Sequence, residues 1–250
     1  MSVNDSAKAG RYINRKAVNA MDASIFMRVM TYGMHHGKGM DGKKSLHRIA
    51  EEIAKAHPDI VALQGMDRFL PRSGFQDQLK RLANLLGMYA CFSPSVNLLI
   101  IQYGNAILSR YPIISKEIQY IGGSKERRSI LIARLQFNES NTVTVINTHL
   151  GVHAKERIKQ FPILWDALVK LEQPAILAGD FNMEMDDPLM KQLNSRWQKI
   201  ALQNKLPTLD KGGEIDHIFV NMPTEQAFAK VAPSDASDHE PVIAELRWRL

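Results

Sequence analysis

Four short stretches of this sequence end apolar runs in polar groups of the kind that move protons or hold phosphate. Residues 143–149 alternate as a strand, so Asn147 and His149 share one face at its C-terminal end. A single histidine there serves as readily in a structural hydrogen bond as in catalysis. Residues 175–182 deliver Asp180 and Asn182 two positions apart, just after Gly179, where another backbone can approach closely. An Asx turn closing the strand would also use that pair. Asp216 lies in the run Ile215–Val220, which is otherwise suited to burial, and a buried carboxylate needs a partner or becomes neutral. Ser237-Asp238-His239, just before the last apolar run, offers one. A carboxylate on one imidazole nitrogen fixes the tautomer and aims the other nitrogen, so Asp216 and His239 are expected to pair.

The elements that must position these groups follow from periodicity. Strands are predicted at Ile25–Tyr32, Asp59–Leu63, 104–109, 113–121, 129–137, 142–149, Pro174–Ala178, Ile215–Val220, Ala227–Val231 and Val242–Arg247. In Lys44–His57 the residues Leu46, Ile49, Ala50, Ile53 and Ala54 form one helical stripe, and Gln78–Leu86 repeats it before Gly87. Further helices are expected over 155–171, where Pro162 should kink or restart the turn, and over 186–195. Residues 34–42 are glycine-rich and read as a loop. Helices falling between strands early and again after residue 150 suit helices packed outside a two-sheet core.

With 250 residues, 45% of them hydrophobic and 23% charged, the chain has enough apolar content for a large core and is excluded from the disordered class. No apolar run reaches the roughly 18 residues of a membrane span. The lone Cys91 cannot pair internally, which fits a reducing, cytoplasmic compartment. A net charge of +6 favours phosphate-bearing partners but, spread over the chain, reads first as a mildly basic surface. Residues 1–24 carry Lys8, Arg11, Arg15 and Lys16 against Asp5 and Asp22 and no secretory apolar stretch, so they read as a poorly ordered basic arm preceding a domain at 25–250.

Taken in order, the segments Met27–Gly37, Pro58–Arg68, Arg72-Ser-Gly74 with Asp77-Gln78, Tyr103–Pro112, Asn147–Leu150, Gly179–Asn182, Ile215-Asp216 and Ser237–His239 carry a resemblance. The chain resembles the endonuclease/exonuclease/phosphatase superfamily of metal-dependent phosphoesterases over residue 27 to about 248. The resemblance implies an α/β fold, a four-layer αββα sandwich with its site at one edge of the two sheets. It implies Mg²⁺ or Mn²⁺ on a phosphate oxygen and in-line attack by water. Asp180 would be the base. Asn182 and His149 would donate to the phosphoryl oxygens, as would His239 oriented by Asp216. Asp238 would sit at or beside the metal, and Asn105, on the strand matching the family's substrate side, would face the phosphate. Lys125, Arg127 and Arg128 form a small basic cluster before a strand, which suits phosphate contact and a solvated turn equally.

Two positions depart from the family pattern. Its first strand ends Tyr-Asn and its second Leu-Gln-Glu; here they end Tyr32-Gly33 and Leu63-Gln64-Gly65. The missing Glu is the family's principal metal ligand and the missing Asn neighbours the metal. Loss of a main carboxylate should lower Mg²⁺ affinity by orders of magnitude. Asp67 stands a step of about 6.6 Å beyond Gly65, farther than a carboxylate comfortably reaches. His35 and His36 sit at the rim, and at least one reads as structural. Restoring both side chains, Gly65→Glu with Gly33→Asn, is expected to raise turnover and metal affinity together. The reading is therefore a weakened or altered phosphodiesterase or phosphatase, the alternative a non-catalytic binder of a phosphate-bearing ligand. Nucleic acid, lipid headgroups and small phosphoesters all remain among its partner classes.

Overall fold

A computed structural model describes residues 24–123 and 126–249. Apart from Ser24, the arm expected at 1–24 lies outside the described residues, as does Lys125. In chain order the strands are β1 (Ser24–Gly33), β2 (Ile60–Arg68), β3 (Tyr89–Leu98), β4 (Ile101–Ser109), β5 (Ile113–Gly122), β6 (Arg128–Gln136), β7 (Thr142–His149), β8 (Ala175–Asp180), β9 (Gln198–Lys199), β10 (Asp216–Val220), β11 (Gln226–Val231) and β12 (Val242–Arg249). The helices are α1 (Leu46–Ala56), α2 (Gln78–Leu86), α3 (Ala154–Leu168) and α4 (Pro188–Asn194). They form two six-stranded sheets, ordered β11-β12-β1-β2-β4-β3 and β5-β6-β7-β8-β10-β9.

Strand periodicity sorts the core into layers. Met27, Val29, Ala62, Ile107, Val145, Ala178 and Ile218 fill the space between the sheets. The residues alternating with them, such as Met30, Val61 and Leu108, meet the buried stripe Leu46, Ile49 and Ile53 of α1 and Leu82 of α2. On the other side Ile146, Leu177 and Phe219 meet Phe161, Leu164 and Leu168 of α3 and Met190 and Leu193 of α4. The result is the four-layer αββα sandwich, each buried aliphatic side chain contributing about 1.5–3 kcal/mol. Ser45 and Asp77 cap α1 and α2 by accepting from the backbone N–H of Arg48 and Lys80.

Each sheet has one parallel pair joined by a helical crossover: β1 with β2 through α1, and β7 with β8 through α3. The C-terminal ends of these strands therefore converge on one edge of the sandwich, where ligands gather in open α/β sheets.

Three differences from expectation have local causes. Strand β3 was not foreseen: it is an edge strand whose Pro94 sits at a register shift, one of the few places a strand tolerates proline. Helix α3 runs unbroken through Pro162, because Pro162 and Ile158, whose carbonyl loses its bond, both face solvent. Strand β2 continues past Leu63 to Arg68, with a bulge between Leu63 and Met66 where Gly65 takes φ +75°.

Candidate active site

Along every strand that reaches the convergent edge, the column of side chains between the sheets turns from apolar to polar. Val143 and Val145 lead to Asn147 and His149 on β7; Ile176 and Ala178 lead to Asp180 on β8; Val220 and Ile218 lead to Asp216 on β10. On the facing sheet Ala62 leads to Gln64, Ile107 to Asn105 and Tyr103, and Val29 to Thr31 and Gly33. Strand register then brings the groups together. His149 lies opposite Asp180, and Asp180 opposite Asp216. A cleft of about 190 Å³ at this edge is lined by Gly33, His35, Gln64, Gly65, Tyr103, Arg128, His149, Val152, Asp180, Asn182, Asp238 and His239.

Asp180 is the hub. Its Oδ2 lies 3.2 Å from Nε2 of His149 and 3.9 Å from Nε2 of His239. Its Oδ1 accepts the backbone N–H of Asn182 at 2.8 Å. Burial, with the charge of Asp216 behind it, pushes the Asp180 carboxyl up to about 7. His239 donates from Nδ1 to Oδ2 of Asp216 at 2.9 Å, the pair expected from the sequence. Burial alone would depress this imidazole, but the charge and hydrogen bond of Asp216 outweigh it and raise it to about 9. His149 is held well below the ordinary histidine range, by burial first and then by Arg128. It is a neutral imidazole whose Nε2 lies 3.2 Å from Oδ2 of Asp180, and its buried Nδ1 has no partner among the described residues.

The other expected residues distribute unevenly. Asn182, in a left-handed conformation with φ +52°, lines the cleft but donates from Nδ2 to the Leu150 carbonyl. Arg128 is buried at the cleft wall beside Glu126, 3.1 Å away. Asp238 faces Nδ1 of His35 at 3.1 Å. Asn105 lies two residues beyond Tyr103 on the same face of β4 and does not line the cleft, its Nδ2 buried without an acceptor among the described residues. Asn147 stays out of the cleft: its amide donates to the carbonyls of Leu63 and Ala106 and its oxygen accepts from Gln64, which ties the two sheets together. His35 and Tyr103 are the cleft residues that sequence reasoning undervalued. The two-residue step from Tyr103 to Asn105 was the available signal for the latter. His36 is the structural member of its pair, buried beside His35 and lowered to about 4 chiefly by that burial.

The two glycine positions are not simple vacancies. A Cβ on Gly33 would stand 2.7 Å from Cγ of His239, so the imidazole occupies the room an asparagine would need. Gly65 has φ +75°, and a Cβ there would meet the His35 amide nitrogen and the Tyr103 hydroxyl, each at 3.4 Å. Restoring Asn and Glu would therefore clash at one position and strain the backbone at the other, contrary to the simple rescue expected from the sequence. Asp67 is fully buried in a bidentate pair with Arg72, at 2.7 and 2.9 Å, and does not line the cleft.

These residues fit an oxygen-coordinated divalent ion poorly. Mg²⁺ needs several oxygen ligands in near-octahedral array. Ligand atoms of Asp180, Asp216 and His239 do lie within 4.8 Å of one another. Yet the cation between those carboxylates is His239 itself, already bonded to Asp216. Beside Gly33 and Gly65 stand an amide N–H, a phenol and an imidazole, and the further carboxylate lining the cleft, Asp238, faces Nδ1 of His35 at 3.1 Å.

The comparisons agree with this architecture. A family model described as the Endonuclease/Exonuclease/phosphatase family matches residues 33–239. No curated protein matches the chain. Among solved structures, an endonuclease/exonuclease/phosphatase from Beutenbergia cavernae DSM 12333 is 24% identical, with TM-score 0.75 over 89% of this chain and 71% of that one. The mannosyl-6-phosphatase of Bacteroides thetaiotaomicron VPI-5482 is 19% identical, with TM-score 0.70 over 88% and 99%. Truncated TDP2 from Caenorhabditis elegans is 18% identical, with TM-score 0.69 over 88% and 97%. At these identities the structures speak for the fold, and it is the family model, spanning the site from Gly33 to His239, on which membership rests: the chain belongs to the endonuclease/exonuclease/phosphatase family.

Proposed function

We propose that this protein hydrolyses a phosphoester slowly, with Asp180 as the base that activates water, and that it does so without the family's usual dependence on Mg²⁺ or Mn²⁺. The observation that supports this reading is the position of Asp180, buried, raised to about 7 and held between two imidazoles. A base of that strength at neutral pH takes a proton from water far more effectively than a surface carboxylate. His149 and the Asn182 amide hold the Asp180 carboxylate in place. His239, as an imidazolium, has its Nε2–H free enough at 3.9 Å from Asp180 to donate to a phosphoryl oxygen as charge builds there. Arg128 adds a fixed positive charge at the wall. What the departures at Gly33 and Gly65 remove is the extra stabilisation a bound ion would supply, so the rate should fall below that of an intact family site.

The second reading is a non-catalytic binder of a phosphate-bearing ligand. It is favoured by one observation: His239 fills the space at Gly33 rather than leaving it to a ligand or ion. Hydrolysis of an activated aryl phosphoester separates the two. The catalytic reading expects turnover that Asp180→Asn lowers by about 10²–10⁴-fold, the usual worth of a general base. Wild-type and variant rates equal to the uncatalysed background would favour the binder.

A further inference from the structure

The geometry points to the recess beside Gly65, where the family would seat its cation, as a subsite for a second anionic group of the substrate, a phosphate or carboxylate adjoining the phosphoester. This deepens the proposed function and rests on it. The recess exists because β2 bulges between Leu63 and Met66, and Gly65, in the left-handed conformation, carries no side chain to fill it. The groups around it are donors. The His35 amide nitrogen and the Tyr103 hydroxyl each lie 3.4 Å from where a Cβ of residue 65 would stand. Neither has an acceptor among the described residues. Behind the cleft lining, opposite the bulge in β4, Asn105 has a buried Nδ2 without an acceptor among the described residues. A donor left unpaired is destabilising, and an arriving oxyanion would relieve it.

Charge leaves the donors to decide. Arg72, 5.0 Å from the centre of the Tyr103 ring, is paired with Asp67, Arg128 with Glu126, and Asp238 faces His35. Asp180 and Asp216 flank His239 at the other side of the cleft. The recess itself presents N–H and O–H donors and no carboxylate, which suits an oxyanion better than a hard cation. At about 190 Å³ the cleft is smaller than the roughly 300–1,000 Å³ of pockets that enclose drug-sized ligands, so it seats the charged end of a substrate and leaves the remainder outside.

The experiment compares inorganic pyrophosphate, which carries two linked phosphates, with orthophosphate, in EDTA-containing buffer by isothermal titration calorimetry on the full chain. Pyrophosphate should bind at least about tenfold more tightly than orthophosphate. Tyr103→Phe keeps the ring under Arg72 and removes one donor, and should close most of that gap by weakening pyrophosphate more than orthophosphate. Equal affinities for the two anions in the wild-type protein would overturn the second subsite yet leave the phosphoester reading standing. Binding of neither anion would remove both. Tight binding of Mn²⁺ alone, at micromolar concentration with line broadening confined to His35 and Tyr103, would show a cation site in the recess and overturn the inference as well.

Discussion

At the scale of single residues, the site is an arrangement of proton affinities set by burial. Asp180 is raised to about 7 because it is buried and faces Asp216, while His239 is raised to about 9 because Asp216 and Asp180 outweigh its own burial. In the proposed reaction Asp180 works when ionised and His239 when protonated. The rate should therefore rise as pH passes about 7 and fall as it passes about 9, giving a bell that a pH–rate profile of kcat/KM will show. Asp216→Asn should pull down the alkaline limb, because the charge supporting the imidazolium is gone, and lower the acidic limb, because the negative neighbour of Asp180 is gone. The same shifts govern stability. The folded protein binds His239's proton more tightly than the unfolded chain, so this stabilisation is complete below about 6.5 and disappears as pH rises through about 9. Asp180 likewise binds its proton more tightly when folded, so stability also declines as pH rises from about 4 towards 7. His149 and His36, held below the ordinary histidine range, act in the opposite direction up to about pH 6.5, so urea denaturation should show its fall between about pH 6.5 and 9, and Asp180→Asn should make stability decline less below pH 7.

Elements position these groups through register and cross-sheet bonding. Asn147 holds β7 to β2 and β4 by donating to Leu63 and Ala106 and accepting from Gln64. Asn147→Ala leaves two buried carbonyls unpaired and should cost about 2–4 kcal/mol in chemical denaturation. Gly65→Ala forces a side chain onto φ +75° and should cost about 1–2 kcal/mol without adding metal affinity, read by the same denaturation and by Mn²⁺ titration. Much of this level was legible in the sequence. The stripes of α1 and α2, the alternation of β7 and the polar ends at His149, Asp180 and Asp216 all follow from period and residue type. Proline misled in both directions. Pro94 concealed β3 because an edge bulge is invisible without partners, and Pro162 promised a break that its solvent-facing position makes unnecessary. The role of Asn147 was equally hidden, since alternation places it beside His149 but cannot say that its amide is spent on the opposite sheet. His239 at the Gly33 position was hidden for a related reason, because it depends on contacts between residues far apart in the chain.

The whole molecule has the family's four-layer sandwich and a convergent edge, and the two sides of its cleft differ in character. The side built by β7, β8 and β10 carries His149, Asp180 and Asp216, and His239, from the segment before β12, is held against Asp216. The side built by β1, β2 and β4 offers two glycines, an amide and a phenol. Among the described residues no helix is long and apolar enough to cross a membrane. The two sheets pack through an apolar layer that is continuous from Met27 to Trp248. Such a cleft on an intact core predicts that substitutions at the cleft alter chemistry more than folding, as Tyr103→Phe should by leaving the denaturation midpoint unchanged. The most direct test titrates Mg²⁺ and Mn²⁺ against hydrolysis of an activated aryl phosphoester after EDTA treatment. Turnover that depends on Asp180 and changes less than about threefold up to millimolar metal is the predicted result. Turnover that is absent in EDTA and saturates at micromolar Mg²⁺ or Mn²⁺ would contradict it.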